Sequence, residues 1–481
     1  MPEPLTPAAG EELVYESDWL ASRPFFYNLR SGAASANIND VIDLEHFEFD
    51  PEGFNDYLDF GFSVFEHTPV RDVHMLRHSS RLYRGPQGLR VEYLPDVACE
   101  WYDRRSTVDE VLEVASAKIN AAAGEGEGEV VVPTSGGLDS RLLNLLLHDR
   151  SRVRAFTYGV SDDQLRSSEV VKARELARRL GLRWEALPLG DFHRYLDEWD
   201  DLYGVSTHAH GMYQMEFYRQ IAERVPAGST VLSGICGDWF SGAVAEWRLD
   251  APVRTVDDVY RVLGLTSALH GDSGMSTFRS ERLGAQRLLE SGALVTGLSW
   301  PRVPAVVRNR IALLSYLLAV PETVGLVPRA PYLDPDVALR MLTLPRDVRH
   351  DRRWVRELFA THDAFLEEAD LSFDPRNSLN FQAMRRVPLA PLDVGLLREV
   401  VRPEYVRWIN RTVGPWGYPW EVYWRLGWTP GFRRAVGQLR RHGLHEQRLA
   451  AYAAYLTLRP VQELLRRRER LASGGEARTG R

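Results

Sequence analysis

Two short loops carry the residues of this chain that can do chemistry. The first, Ser135-Gly136-Gly137-Leu138-Asp139-Ser140, follows the β-branched run Val130–Val132 and precedes the amphipathic run Leu142–Leu147. Strand, tight turn and helix in that order aim free N–H groups and the positive end of the helix dipole at the turn. Adjacent glycines let the backbone approach an anion closely, and Ser135 and Ser140 add hydroxyl donors. No Gly-Lys-Ser/Thr is present, which excludes the Walker phosphate-transfer loop. Asp139 instead sets a carboxylate beside the anion, a sensible place for it if it holds Mg²⁺. The second loop, Ser233-Gly234-Ile235-Cys236-Gly237-Asp238, ends the run Thr230–Leu232 in the same manner. Two carboxylates from adjacent strand ends can share metal ions that also hold a triphosphate. The plain alternatives are a glycine-rich turn with no ligand and Asp238 as a helix N-cap. The six positions of the first loop, coupled to the second, favour a functional site.

The elements that must position these loops alternate. Val130–Pro133, Val153–Tyr158, Arg183–Leu187 and Thr230–Ser233 read as strands. Leu142–His148, Ser167–Leu180 with Gly181 as its C-cap, Phe192–Tyr203 and Met212–Val225 read as helices. Such alternation predicts a parallel sheet with helices on both faces and ligands outside the carboxyl ends of the strands. Upstream, Phe25–Leu29, Asp59–Val64, Leu82–Arg84 and Leu89–Leu94 read as short strands. A helix with a capping box, Thr107 and Glu110, runs from there to about Ala123. Gly124–Glu129 reads as a link. From about 245 to 470 the pattern is mostly helical, and residues 472–481 read as a disordered tail.

Composition narrows the class. The chain has 481 residues, 44% hydrophobic and 26% charged, which suits a soluble globular protein of two or three domains. A net charge of −7 gives no case for a nucleic-acid partner. Cys99 and Cys236 form neither a disulfide framework nor a zinc spacing. The N-terminus shows no signal pattern. The longest clearly apolar run, Ile311–Val320, is too short to cross a bilayer. The expectation is a cytoplasmic protein without a membrane partner. Only Lys118 and Lys172 are lysines, so nearly all the basic chemistry falls to arginine.

The first loop resembles the pyrophosphate loop of enzymes that split ATP into AMP and pyrophosphate. Together with the second loop and Arg329-Ala-Pro-Tyr-Leu-Asp334, it resembles the synthetase domain of asparagine synthetases over about residues 105–385. Asp351–Phe359, with Arg352, Arg353 and Arg356, resembles the lysine-containing segment that follows in that family. Ser17–Tyr27 and Thr68–Leu76 resemble parts of the family's glutaminase domain. The resemblance implies an α/β fold in which a small, mostly-β N-terminal domain precedes a parallel-sheet adenine-nucleotide domain with a helical C-terminal half. The expected division is a truncated glutaminase-like domain at 1–103, an ATP pyrophosphatase domain at 104–470 and a tail at 471–481. It further implies ATP and Mg²⁺. Ser135, Gly136, Gly137, Asp139 and Ser140 would bind pyrophosphate, Tyr158, Gly159, Ser233 and Gly234 would touch adenosine, and Asp139 and Asp238 would hold the metal.

Three departures from the family pattern matter. Glutaminase domains of this type use an N-terminal cysteine, whereas position 2 is Pro and the first cysteine is Cys99. Ile235 stands where asparagine synthetases tend to carry Glu and β-lactam synthetases Tyr, and Trp239 replaces a following acid. The stretch matching the family's late lysine, Phe373–Phe381, offers Arg376 instead, which supplies charge but no proton. Among other candidates, His208 and His210 suit a helix start or an acceptor pocket. Asp334 suits a helix cap, and Arg329 suits a loop brace. The Trp416–Trp428 cluster suits core or an oligomer contact, so a homodimer stays open. Basic stretches at 433–441 and 466–470 suit solvated helix faces.

The resemblance thus implies an ATP-dependent, AMP-forming amide ligase, with Asp139, Asp238 and Arg376 catalytic. It would adenylate a small-molecule or peptide carboxylate for attack by ammonia or an amine, drawn from solution or a separate glutaminase, with no glutaminase activity of its own. The alternatives are a catalytically degenerate nucleotide-binding homologue and an intramolecular cyclase of the β-lactam or lasso-peptide synthetase type.

Overall fold

The computed structural model describes residues 10–125, 128–244, 249–263, 271–294, 300–367, 369–414, 426, 431–432 and 444–479. The Trp416–Trp428 cluster, apart from Leu426, and the 433–441 stretch lie outside them.

The N-terminal layer holds two three-stranded antiparallel sheets. β1 (Glu12–Glu16), β5 (Ser80–Gly85) and β6 (Gly88–Tyr93) form one. β2 (Phe26–Asn28), β3 (Ala34–Ser35) and β4 (Val73–Met75) form the other. Between β3 and β4 in the chain lies α1, Pro51–Phe60. The strand expected at Asp59–Val64 is absent; Asp59 and Phe60 end this helix. Asp50 caps it by accepting from Gly53 N, Pro51 starts it, and Gly61 stops it at φ 81°.

This layer shares its core with the rest of the chain. Trp19 Nε1 donates to Leu333 O at 2.7 Å, and Tyr57 Oη donates to Thr457 O at 3.0 Å. His208 N donates to Gly61 O at 2.7 Å.

The capping box forms as expected: Thr107 and Glu110 start α2, Val108–Gly124. The chain then enters a five-stranded parallel sheet. β7 (Val130–Pro133), β8 (Val153–Thr157), β9 (Arg183–Ala186) and β10 (Thr230–Leu232) match the sequence reading. A fifth strand, β11 (Val327–Arg329), was not foreseen. It pairs in parallel with β10, Val231 opposite Pro328. Proline is tolerated there because an edge strand need not donate on both sides.

The order is β11-β10-β7-β8-β9. The chain moves from β7 outward through β8 to β9, then returns to the other side of β7 for β10. The switch point therefore lies between β7 and β10, where open α/β sheets bind ligands. Flanking helices include α3 (Leu138–Leu146), α4 (Ser168–Leu180), α5 (Leu196–Tyr203), α6 (Tyr213–Ala222) and the short α7 (Gly237–Ser241). Gly181 caps α4 at φ 67°.

Beyond β10, and apart from β11, the regular elements among the described residues are helices. The stretch Arg302–Thr323 is long and apolar enough to cross a membrane by length and composition, but 67% of its apolar window is buried inside the protein. The last helix, Leu444–Thr479, continues through the residues expected to form a disordered tail from 471.

Candidate active site

The first loop turns where its sequence allows it to. Gly136 adopts φ 69°, which favours glycine, and a side chain there would collide with Lys172 of α4. Gly137 then caps α3, so the helix begins at Leu138 and Asp139 falls in its first turn. Ser135 N donates to Ser140 Oγ at 3.2 Å, and Gly137 N donates to Ser135 Oγ at 3.2 Å. The loop is braced from behind by Arg141, which the sequence reading missed. Its buried guanidinium donates to Gly136 O at 2.7 Å and pairs with Glu367 at 3.0 Å.

The second loop carries Cys236 in the left-handed region, φ 59°, immediately before α7. Cys236, rather than Asp238, is the cap, and Asp238 sits in the first turn of α7. Burial pushes the Cys236 thiol well up, so it stays protonated and inert.

The third motif meets the other two. Tyr332 Oη donates to Asp139 O at 3.0 Å. A side chain at Gly237 would strike both the Tyr332 ring and Asp139 Oδ1. Arg329 turns away to pair with Glu125 at 2.7 Å, and Asp334 caps the next helix by accepting from Asp336 N at 2.9 Å. Both act as braces.

The carboxyl ends of β7, β8 and β10 open onto one cavity of about 630 Å³. Its wall includes Ser135, Asp139, Ser140, Tyr158, Ser233, Gly234 and Asp238 among the expected residues. Gly136, Gly137 and Gly159 shape the loops from outside the wall. A side chain at Gly159 would stand 2.1 Å from Gln164 O. Ile235 and Trp239, both buried, form an apolar side with Leu313, Leu314 and Leu317. Arg310 joins that side, donates to Leu263 O, and has its pKa lowered by burial to about 10. Glu169, in the first turn of α4, adds a carboxylate whose Oε2 is buried without a hydrogen-bond partner among the described residues.

Asp139 and Asp238 face each other electrostatically. Burial and the Asp238 charge push the Asp139 carboxyl up to about 7, against the pull of Arg352. Burial raises Asp238 as well, and Arg352 again opposes it. Asp139 still has 27% of its side chain accessible, enough for a ligand to reach.

Two carboxylates raised by burial, with the Arg352 guanidinium 3.5 Å from Asp139, are short of positive charge, and a hard divalent cation with oxygen ligands fits that deficit. Among the described residues no group of three His, Cys, Asp or Glu could hold a metal alone. Mg²⁺ suits such a pair, because it takes one or two carboxylates and completes its shell with phosphate and water.

Arg376 does not join this site. Its guanidinium is held by Asp374 at 2.5 Å and lies 3.5 Å from Asp162, and it is absent from the cavity wall. Arg352, also outside the cavity wall, is the cation that stands near Asp139, 3.5 Å from its Oδ1. Asp351 and Arg352 adopt φ 51° and 55°, and this double left-handed turn projects the Arg352 side chain inward ahead of helix Arg353–Thr361. His208 and His210 stack at 5.5 Å outside the wall.

Comparison with known proteins bears on this region. Residues 122–303 match the asparagine synthase family model. No curated protein sequence matches the chain. Among solved structures, the NH3-dependent NAD synthetase from Campylobacter jejuni subsp. jejuni NCTC 11168, in complex with the nitrate ion, is similar at 17% identity. The match covers 44% of this chain and 96% of that one, with a TM-score of 0.24.

Proposed function

We propose that residues 122–303, a synthetase domain of the asparagine synthetase family, together with the helices that close its cavity, make an ATP-dependent, AMP-forming amide ligase of the cytoplasm. The observation that carries this reading is the convergence of the Ser135–Ser140 loop, Asp139 and Asp238 on one cavity at the sheet's switch point, with Arg352 3.5 Å from Asp139.

In this reading the Ser135 and Ser140 hydroxyls and the N-terminus of α3 hold the pyrophosphate end of ATP. Asp139 and Asp238 would hold Mg²⁺, which supplies charge neutralisation to the phosphates when bound. A substrate carboxylate oxygen bonds to the α-phosphorus, and the bond from that phosphorus to the bridging oxygen breaks with its electron pair leaving on pyrophosphate. Arg352 counters charge near Asp139 without exchanging a proton. Ile235, Trp239 and the leucine side keep water from the acyl-adenylate. Ammonia or an amine then attacks the acyl carbon, and AMP leaves.

The nitrogen comes from solution, from a partner enzyme or from the substrate itself.

ATP–pyrophosphate exchange across a panel of carboxylic acids tests the reading. Exchange that needs both a carboxylic acid and Mg²⁺ supports it. ATP binding with no exchange for any acid favours a degenerate nucleotide-binding protein, a reading to which Ile235 and the engaged Arg376 lend support.

A further inference from the structure

The chain has two lysines, and the structure gives them different positions. Lys118 Nζ is paired with Asp334 at 2.7 Å, bracing the cap of helix Pro335–Leu342. Lys172 lies on α4, one turn beyond Glu169, with its side chain against the first loop. A Cβ built on Gly136 would stand 2.4 Å from Lys172 Cβ. Its ammonium rests 5.5 Å from the centre of the Phe373 ring.

Phe373 is 37% exposed, and a cation–π contact with an exposed ring is weak. The flexible four-carbon stem lets the ammonium leave that ring for a nearby anion. The neighbouring cations are committed elsewhere. Arg141 holds Gly136 O and Glu367, Arg376 holds Asp374, and Arg352 faces Asp139.

We propose that Lys172 swings from the Phe373 ring onto the phosphates bound at the Ser135–Ser140 loop and offsets the charge that gathers on the departing pyrophosphate. The inference rests on the ligase reading above and assigns the phosphate-contacting role to a helix beside the loop, not to the 373–381 segment. Its step moves no proton: the electron pair leaves with pyrophosphate, and the ammonium accompanies it as a point charge.

Two lysines in the whole chain make the test direct. The purified protein is labelled with acetic anhydride, with and without Mg²⁺ and inorganic pyrophosphate, and each lysine is read by peptide mass spectrometry. Labelling of Lys172 should slow several-fold with pyrophosphate, while labelling of Lys118 stays unchanged. Lys172→Met keeps the apolar stem and removes the charge. It should weaken pyrophosphate binding by roughly tenfold or more, as loss of a bond to a charged group does, and leave AMP binding and thermal stability near wild type. Lys172→Arg should recover part of the loss.

Equal labelling of Lys172 with pyrophosphate bound, or wild-type pyrophosphate affinity in Lys172→Met, overturns the inference and leaves the ligase reading standing. A wild-type protein that binds neither ATP nor pyrophosphate overturns both.

Discussion

The Arg352 guanidinium lies 3.5 Å from the Asp139 carboxylate, and the backbone makes this possible by holding Asp351 and Arg352 in consecutive left-handed conformations. Such a pair of non-glycine residues is strained, and strain of this kind persists where surrounding structure over-determines it. Here it delivers a cation to a carboxylate pair that burial and mutual repulsion hold in an unfavourable state. The arrangement trades stability for a concentration of charge, as the proposed binding of phosphates and a metal would require.

That trade predicts the behaviour of Asp139→Asn and Asp238→Asn. Each should lower Mg²⁺-dependent AMP formation by about 10²–10³-fold, the scale of losing one electrostatic contact to a transition state. Neither should unfold the protein, because a neutral amide relieves a buried repulsion. Thermal melting of Asp139→Asn at neutral pH should match or exceed wild type. Wild-type turnover in either variant would remove that carboxylate from the proposed metal site.

A pH dependence of stability follows from His193, away from the cavity. Its Nδ1 lies 2.8 Å from Val387 O and its Nε2 2.7 Å from Tyr452 Oη, tying the loop before α5 to the last helix. If Nδ1–H donates to the carbonyl, Nε2 must accept from Tyr452, and that fit exists only for the neutral ring. Burial accordingly lowers the His193 pKa from 6.5 to about 4. Between those values the unfolded chain binds the proton that the folded protein refuses, so stability falls as pH drops. The loss from this group amounts to roughly 3 kcal/mol at most once pH is below both values. Urea unfolding at neutral pH and about 2 pH units lower should show a smaller acid loss for His193→Gln than for wild type. An equal loss would place the acid sensitivity in other groups.

How much of this was legible beforehand depended on whether a signal was local. Val130–Val132 announced a buried strand by three β-branched residues, and the glycines and serines after it announced the loop. β11 gave no such signal: it is three residues long, contains Pro328, and becomes a strand only because β10 lies beside it. The Asp59–Val64 misreading had the opposite cause. Its aromatic alternation looked extended, while Asp50, Pro51 and Gly61 already carried the start and stop signals of a helix. Among the candidate residues, that Asp139 and Asp238 line one cavity was readable because each belongs to its own loop at a strand end. Arg352 was one of three similar arginines, and only backbone conformation and tertiary packing single it out over Arg376, which Asp374 holds two residues away.

The chain should release no ammonia from glutamine. Cys99 is exposed, yet burial of its thiol and the nearby Asp96 charge raise its pKa, the reverse of what an activated nucleophile needs. Incubation with glutamine and assay of free ammonia checks this. Release at a rate that Cys99→Ala leaves unchanged would mean another nucleophile operates and that the N-terminal layer has been misread.

Ile235 sets the last prediction. It is buried in the cavity wall beside Trp239, with Asp238 and Asp139 in the same wall. A carboxylate placed there by Ile235→Glu would lose its hydration and meet two like charges. The variant should be less stable than wild type by about 1–3 kcal/mol and release AMP no faster. Amide formation by wild type should rise with pH as the attacking amine loses its proton, because an aliphatic side chain cannot take that proton. General-base catalysis is worth ~10²–10⁴-fold, so a pocket that needed an acid at this position would respond to Ile235→Glu with a clear gain. AMP release measured against pH for both proteins, with a carboxylate that supports exchange, separates the cases. A gain in the variant at neutral pH would show that the apolar wall is a defect in catalysis. Fast, pH-independent AMP release by wild type without any amine would show that the cavity admits water to the acyl-adenylate or to ATP itself, and the ligase reading would give way to a pyrophosphohydrolase.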